Sequence, residues 1–207
     1  MKVPNFTAFT LSENGRLNVL KTQIKILADK KLNPEFEKSR EDFVAIWDTG
    51  ATGSVISKEL AEELKLMPVG KTKVITAGGM CDSNQYIVNL VLPNKLIINN
   101  VMITSGFLGE GTDFLVGMDI ITLGDFSITN LNGKTKFSFR YPSCESIDYV
   151  NQAKKLHEKD LKRQLQNMEL SIKKGGKCPC GSGKPYRYCC GKEQMKKIKN
   201  ELEKLNS

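Results

Sequence analysis

The sequence predicts a mainly β domain, a helical linker and a small cysteine-rich unit at the carboxyl end. Short apolar runs separated by turn residues continue to about residue 142, a pattern typical of strands. Apolar residues then recur at helical spacing as far as residue 174. Four of the six cysteines follow within 13 residues. The predicted boundaries of the three parts are 1–142, 143–176 and 177–207.

The first strands lie in the amino-terminal part of the β domain. Two strand-like runs occupy residues 5–27, on either side of Asn14-Gly15, a dipeptide that favours a hairpin turn. Residues 28–42 are charged and interrupted by Pro34, so they predict an exposed loop. The apolar run Phe43–Trp47 predicts a buried strand that follows this loop.

A carboxylate comes directly after the buried strand. Ionised aspartate avoids low-dielectric surroundings unless partners or a function hold it there, so Asp48 stands out. Thr49 supplies a hydroxyl group, and Gly50 lets the backbone approach the carboxylate closely. Ser57 is placed to cap a short helix that follows. The tripeptide Asp48-Thr49-Gly50 is therefore the candidate site of chemistry.

Two hairpins are predicted in the rest of the domain. The pair Gly78-Gly79 lies between two strand-like runs and predicts the first hairpin. Asn132-Gly133 predicts the last one, which spans residues 126–140. Between the hairpins, an apolar run ends at Gly117, and Asp119 begins a short helix.

These elements resemble, in kind and in order, those of the retroviral-type or retropepsin-like aspartic peptidases. The resemblance spans about residues 17–140 and implies a single-lobe acid-peptidase β-barrel. It implies that Asp48, Thr49 and Gly50 are catalytic, that Ala51, Gly78 and Gly79 contact a polypeptide substrate, and that the Gly78-Gly79 hairpin is the family's flap. It further implies hydrolysis without a catalytic cofactor, by general acid/base activation of water between two aspartates.

One chain supplies only one of these two aspartates. The 207 residues contain a single Asp-Thr-Gly and no Asp-Ser-Gly, and a chain with two lobes would be far longer. The second aspartate is therefore expected from a second copy, in a homodimer with both Asp48 residues near the two-fold axis. The alternative is a catalytically silent dimeric interaction module with the same fold.

A second motif lies near the carboxyl end. Cys178, Cys180, Cys189 and Cys190 are spaced C-x-C-x8-C-C. Four thiolates suit tetrahedral zinc, and no neighbouring His or Glu base is evident, so one structural Zn²⁺ per chain is expected. The segment is similar to the SEC-C zinc knuckle. The alternative is a disulfide framework, although a chain without a secretion signal should keep its thiols reduced.

The net charge of +8 is concentrated in the tail. Residues 145–207 carry 15 basic and 8 acidic side chains, whereas residues 1–144 carry 16 and 15. This basic tail predicts a partner that targets the peptidase, either another protein or a nucleic acid or ribosome. As a further alternative to a peptidase, the protein would be a nucleic-acid- or ribosome-associated factor that acts through this tail. No signal-peptide h-region or membrane-spanning run is present, so a cytoplasmic location without a membrane span is expected.

Overall fold

The computed structural model describes residues 5–76 and 79–205 and divides the chain into two compact units, residues 1–145 and 146–207. Among the described residues, the first unit contains ten strands, two α-helices and a 3₁₀ turn. In chain order they are β1 (Thr7–Ser12), β2 (Lys21–Leu27), β3 (Phe43–Trp47), β4 (Val55–Ser57), α1 (Lys58–Glu63), β5 (Gly70–Thr76), β6 (Gly79–Val91), β7 (Ile97–Gly106), β8 (Phe114–Val116), α2 (Met118–Ile121), β9 (Asp125–Thr129), the 3₁₀ turn Leu131–Gly133 and β10 (Lys136–Tyr141). The prediction of a mainly β domain is confirmed.

Seven strands form one sheet in the order β2-β3-β8-β4-β7-β6-β5. The sheet closes on itself because β2 changes partner along its length. Lys21–Ile24 pair with β3, and Lys25–Leu27 pair with β6. Six strands therefore form a ring, and β5 extends this ring outward as the second strand of a hairpin with β6.

Alternating apolar residues of the ring strands form the core. In β3, Phe43, Ala45 and Trp47 are buried, while the two residues between them are only partly covered. In β2, Ile24 and Ile26 follow the same two-residue period. This is the side-chain alternation that places one face of a strand against a core. The predicted buried strand at residues 43–47 is confirmed.

Three further strands form a separate antiparallel sheet in the order β1-β10-β9. Its inner face is aromatic and packs around the indole ring of Trp47, whose ring centroid lies 5.2 Å from those of Phe137 and Phe139. The Trp47 Nε1–H donates a 2.9 Å hydrogen bond to the Thr22 hydroxyl, so the buried polar edge of the ring is also satisfied. This aromatic contact joins the small sheet to the strand that carries the candidate site.

Asp125 ties the start of β9 to the chain that follows β10. Its carboxylate accepts a 2.9 Å hydrogen bond from the backbone N–H of Cys144 and another from the Ser143 hydroxyl, and it forms an ion pair with Arg140. These interactions, led by the bond from Cys144, lower the pKa of Asp125 to about 2. The carboxylate therefore stays ionised in most conditions and fixes the end of the β domain.

The predicted hairpin around Asn14-Gly15 is wrong. Both strands form, but β1 pairs with β10 and β2 pairs with β3 and β6. The segment between them crosses from one sheet to the other and is held on Thr135. The Thr135 N–H donates to Gly15 O at 2.9 Å, and Thr135 O accepts from the Glu13 N–H at 3.0 Å. Pairing between distant parts of the chain has therefore overridden a local turn signal.

The other predicted elements of this unit are largely confirmed. Ser57 caps α1 by accepting a 3.1 Å hydrogen bond from the Leu60 N–H. The last hairpin consists of β9 and β10. Residues 28–42 contain no helix or strand, but their buried Asn33 accepts a 2.9 Å hydrogen bond from the Met67 N–H through Oδ1. The predicted loop is therefore confirmed, but it is not exposed at Asn33, where it is hydrogen-bonded to the chain after α1.

The second unit contains two helices, α3 (Tyr149–Lys174) and α4 (Cys190–Leu205), separated by a short cysteine-containing segment. The two helices pack against each other, and Leu161 of α3 is buried. Helix α4 begins at Cys190, the last residue of the cysteine motif. The exposed His157 has its Nε2 2.9 Å from a carboxylate oxygen of Glu201 on α4. No helix in the described part of the chain is long and apolar enough to cross a membrane.

Candidate active site and metal site

The Asp48 loop begins where β3 ends. The Asp48 N–H donates to Val116 O at 3.0 Å, which continues the pairing of β3 with β8 into the loop. The Gly50 N–H donates a 2.8 Å hydrogen bond to Asp48 Oδ1, and a Cβ at Gly50 would lie only 3.1 Å from that oxygen. The carboxylate is therefore oriented by the backbone of its own loop, as the placement of a glycine at position 50 suggested.

The Asp48 loop is locked to the turn between β8 and α2. Ala51 O accepts from the Met118 N–H at 2.8 Å, and Thr52 O accepts from the Asp119 N–H at 3.2 Å. The two backbones touch at Gly117, where an added Cβ would lie 2.6 Å from the carbonyl atoms of Gly53. Only glycine allows this approach, so the predicted Gly117 element packs directly behind the candidate catalytic loop.

A hydrogen-bonded pair, the buried Ser54 and the partly buried Asp119, also joins the two loops and was not predicted as part of the site. Ser54 is 1% exposed, and its hydroxyl donates to Asp119 Oδ1 at 2.8 Å while it accepts from the Gly117 N–H at 3.1 Å. The Ser54 N–H donates to the other carboxylate oxygen at 3.1 Å. The sequence shows an aspartate at the start of α2, but its partner lies 65 residues away and no local pattern links the two.

The opposite end of β3 is held by another aspartate. Asp113 Oδ2 accepts a 2.7 Å hydrogen bond from the Val44 N–H, and the Asp113 N–H donates to Val44 O at 2.9 Å. The guanidinium of Arg40 forms an ion pair with the same carboxylate. Strand β3 is therefore fixed at both ends, which restricts the position of the Asp48 backbone.

The predicted flap hairpin is confirmed as a structural element. Strands β5 and β6 pair antiparallel from Gly70↔Gln85 to Thr76↔Gly79. Gly79 begins β6 with φ of +110°, a conformation that favours glycine. Ile75 and Met80 face each other across the hairpin and are 82% and 65% exposed. Gly78, predicted to contact substrate, lies outside the described residues.

Residues 36–122 match the model of the family described as "gag-polyprotein putative aspartyl protease". The match includes the Asp48 loop, the β5–β6 hairpin and the Gly117 turn. Over these residues the β domain is similar to this aspartyl protease family. The predicted resemblance is thereby confirmed for the matched part of the chain, and it supports an aspartyl protease function. No curated protein matches the chain.

Solved structures similar to the chain include several retropepsin-like proteins. A retropepsin-like aspartic protease from Rickettsia conorii is 16% identical, with 65% of this chain and 94% of that chain covered and a TM-score of 0.43. An EIAV protease in complex with an inhibitor is 18% identical, with 50% and 86% covered and a TM-score of 0.35. The retroviral protease-like domain of Ddi1 from Leishmania major is 14% identical, with 59% and 95% covered and a TM-score of 0.34.

Outside the β domain, the structure brings the four predicted metal-ligating cysteines together. Their Sγ atoms all lie within 4.8 Å of one another. The Sγ atoms of Cys180 and Cys189 are 3.5 Å apart, and those of Cys189 and Cys190 are 3.9 Å apart. Zn–S bonds of about 2.3 Å in a tetrahedral site separate neighbouring sulfurs by about 3.8 Å. The cluster is therefore compatible with zinc, with Cys178 as the fourth ligand.

The surroundings shift the pKa values of two thiols of this cluster, Cys180 and Cys190, in opposite directions. The Ser182 hydroxyl and the neighbouring groups lower the pKa of Cys180 to about 6. Hydrogen bonds led by the one from Cys178 raise the pKa of Cys190 to about 12. A thiolate is therefore favoured at Cys180, where hydrogen bonds stabilise the charged form, and disfavoured at Cys190, which lies among the other thiols. A divalent cation is the kind of group that stabilises several thiolates at once.

Proposed function

We propose that the protein is a homodimeric aspartic endopeptidase in which Asp48 of each subunit provides one carboxylate of the active site. The arrangement of Asp48 carries the proposal. Its carboxylate lies at the end of a buried strand, is oriented by the Gly50 N–H, and belongs to a loop locked from behind by Gly117 and Ser54. A protein that used this fold only as a scaffold would have no need of an oriented carboxylate at this position.

The proposed reaction uses one proton shared by two aspartates. Two carboxylates about 3 Å apart cannot both ionise without a large repulsion, so one of them stays protonated. The ionised Asp48 accepts a proton from water as the water oxygen attacks the scissile carbonyl carbon. The protonated Asp48 of the other subunit donates its proton to the carbonyl oxygen. Thr49 and Ala51 lie next to these groups, and Gly78 and Gly79 belong to the hairpin proposed to cover a polypeptide substrate.

The three-stranded sheet offers edges through which two subunits can pair. Strand β10 lies between β1 and β9, so the edges of this sheet are formed by β1 and β9. Ile128 of β9 is 45% exposed, and Leu131 of the following turn is 78% exposed. Exposed strand edges with apolar side chains favour pairing with another chain. We assign the dimer interface to this sheet.

The tail is proposed to hold one structural zinc ion and to target the peptidase within the cytoplasm. Cys178, Cys180, Cys189 and Cys190 would be the ligands, and four thiolates leave no open coordination position for catalysis. A site of this kind supports folding of a segment that has little core of its own. The resemblance of the spacing to a SEC-C knuckle supports the same role.

The test compares wild-type protein with Asp48→Asn on a denatured protein mixture, with new termini identified by mass spectrometry. New termini are expected from wild type and from the control Asp42→Asn, an exposed aspartate at the end of β3 opposite to Asp48 and outside the substrate-covering hairpin. Wild-type protein refolded together with excess Asp48→Asn protein should form mixed dimers that contain only one intact aspartate. Its activity should therefore be lower than that of wild-type protein diluted by the same factor. New termini that persist in Asp48→Asn refute the assignment, and none from a dimeric wild type would identify a silent interaction module.

A further inference from the structure

Positive charge is concentrated around the cysteine cluster and the start of α4. Residues 173–199 contain ten charged side chains, of which nine are basic and only Glu193 is acidic. The ion pairs that the structure describes in this unit involve His157, Lys162 and Arg163, all on α3 before this stretch. None of the nine basic side chains is therefore neutralised by an ion pair within the described residues.

Three of these lysines form a row on one side of α4. Lys192, Lys196 and Lys199 are spaced four and three residues apart, so they share a helix face, and all three are exposed. The partly buried Met195 and Ile198 lie on the neighbouring face, and α4 packs against α3. The packing of the helix therefore leaves the lysine row accessible to solvent.

The cysteine-containing segment, which directly precedes α4, carries further cations and an exposed aromatic ring. Lys177 forms an isolated β-bridge with Pro185, and the Cys178 N–H donates to Lys184 O at 2.8 Å, so the backbones of Lys177 and Lys184 lie close together. The Arg187 guanidinium carbon lies 4.7 Å from the ring centroid of Tyr188, and that tyrosine is 67% exposed. An exposed ring beside cations offers a surface on which a base can stack.

The cysteine-containing segment is held against the first turns of α4, which carries the lysine row. The Tyr186 hydroxyl donates to Gln194 Oε1 of α4 at 2.7 Å, and the Tyr186 N–H donates to Gly176 O at 3.0 Å. A Cβ at Gly191 would lie 2.7 Å from Tyr186 O, so the first turn of α4 is in close contact with the segment. The positions of the cations are thus set by the fold of the unit.

We propose that this basic surface, formed by Lys177, Lys184, Arg187, Tyr188, Lys192, Lys196 and Lys199, binds single-stranded nucleic acid. The lysines pair with backbone phosphates, and Tyr188 with Arg187 stacks on a base. An unpaired base is required for this stacking, since bases in a duplex are already stacked. The exposed ring favours nucleic acid over an acidic polypeptide, which carries negative charge but no base.

The experiment measures fluorescence anisotropy of a labelled 20-nucleotide single-stranded RNA of mixed sequence with full-length, zinc-loaded protein at several KCl concentrations. Binding by wild type should weaken linearly in log Kd against log salt. The triple variant Lys192→Gln/Lys196→Gln/Lys199→Gln should lose at least tenfold in affinity and lower the slope by about 2, because each lost phosphate contact removes about 0.7 from it. Tyr188→Leu should lose about tenfold without changing the slope.

The control is the triple variant Lys154→Gln/Lys155→Gln/Lys159→Gln, which removes the same charge from exposed positions of α3 outside the basic surface. Its affinity should stay within about twofold of wild type. Equal zinc content and helical circular dichroism in all variants separate loss of binding from loss of fold. The proposal is overturned by an absence of RNA binding at 100 mM KCl, by an equal loss in the control variant, or by polyglutamate of equal charge competing as well as RNA.

Discussion

Replacing Gly117 with alanine tests whether the close contact behind the Asp48 loop is required. The added Cβ would lie 2.6 Å from the carbonyl carbon and oxygen of Gly53 and 3.0 Å from Ala51 O. Carbon atoms in ordinary contact are about 3.5 Å or more apart, so the two loops must separate by roughly 0.9 Å. Backbone atoms on both sides leave no flexible side chain to absorb this shift.

A separation of this size acts on both stability and activity. The 2.8 Å bond from the Ser54 hydroxyl to Asp119 would lengthen beyond hydrogen-bond range. Overpacking in a well-packed region costs about 1–3 kcal/mol in the free energy of unfolding. A misplacement of about 1 Å in a catalytic group costs about 100-fold in rate, so kcat/KM should fall by that order.

Two assays measure these effects against a neighbouring control. Urea denaturation followed by fluorescence of Trp47, the single tryptophan, reports unfolding of the β domain, and hydrolysis of a peptide substrate reports kcat/KM. Gly53→Ala is the control, since a Cβ at Gly53 meets nothing within 4 Å. It should change stability by less than about 0.5 kcal/mol. Wild-type stability for Gly117→Ala would refute the steric reasoning, whatever the protease activity.

Three further predictions concern the Ser54–Asp119 hydrogen bond, stability at acidic pH and the cysteine cluster. Ser54→Ala removes the hydroxyl that accepts from the buried Gly117 N–H and donates to the partly buried Asp119 carboxylate, so it should lower the free energy of unfolding by about 1–3 kcal/mol, measured in urea. The depressed pKa of Asp125 means that its contribution is present above pH 4 and is lost as pH falls toward 2, so Asp125→Asn should destabilise at pH 7 and hardly at pH 2; an equal loss at both pH values would contradict this. Cys178→Ser should abolish zinc binding and lower helical circular dichroism while Trp47 emission stays native; a shift in that emission would show that the β domain depends on the metal.

Local patterns in the sequence predicted most elements of the β domain but not all of their partners. Phe43, Ala45 and Trp47 alternate with less buried residues, so β3 is visible as a strand. The pairing of β1 is not visible, because Phe9 packs on Phe137 and Phe139, which lie almost 130 residues away. A local turn signal at residues 14 and 15 carries no information about contacts at that distance.

In the candidate site, too, contacts between neighbouring residues could be predicted from the sequence, whereas contacts between distant residues could not. Asp48 and Gly50 interact within one loop, and their geometry follows from adjacent residues. The Ser54–Asp119 pair joins two loops that approach only in the folded chain. The first turn of α4 likewise contacts Tyr186 through Gly191, a contact that the helical period of the later residues does not reveal.

The β5–β6 hairpin has a mechanical consequence that follows from where its pairing to the ring stops. Strand β6 pairs with β7 only from Gln85 onward, and the Ser83 hydroxyl makes one more bond to Ser105 O. Residues 79–82 extend past that bond with β5 as their paired strand, a lever of about 14 Å at 3.4 Å per residue. A rotation of roughly 15° about Ser83 would therefore move Gly79, the first residue of β6, by about 3–4 Å. The strand pairing of the ring itself would stay intact.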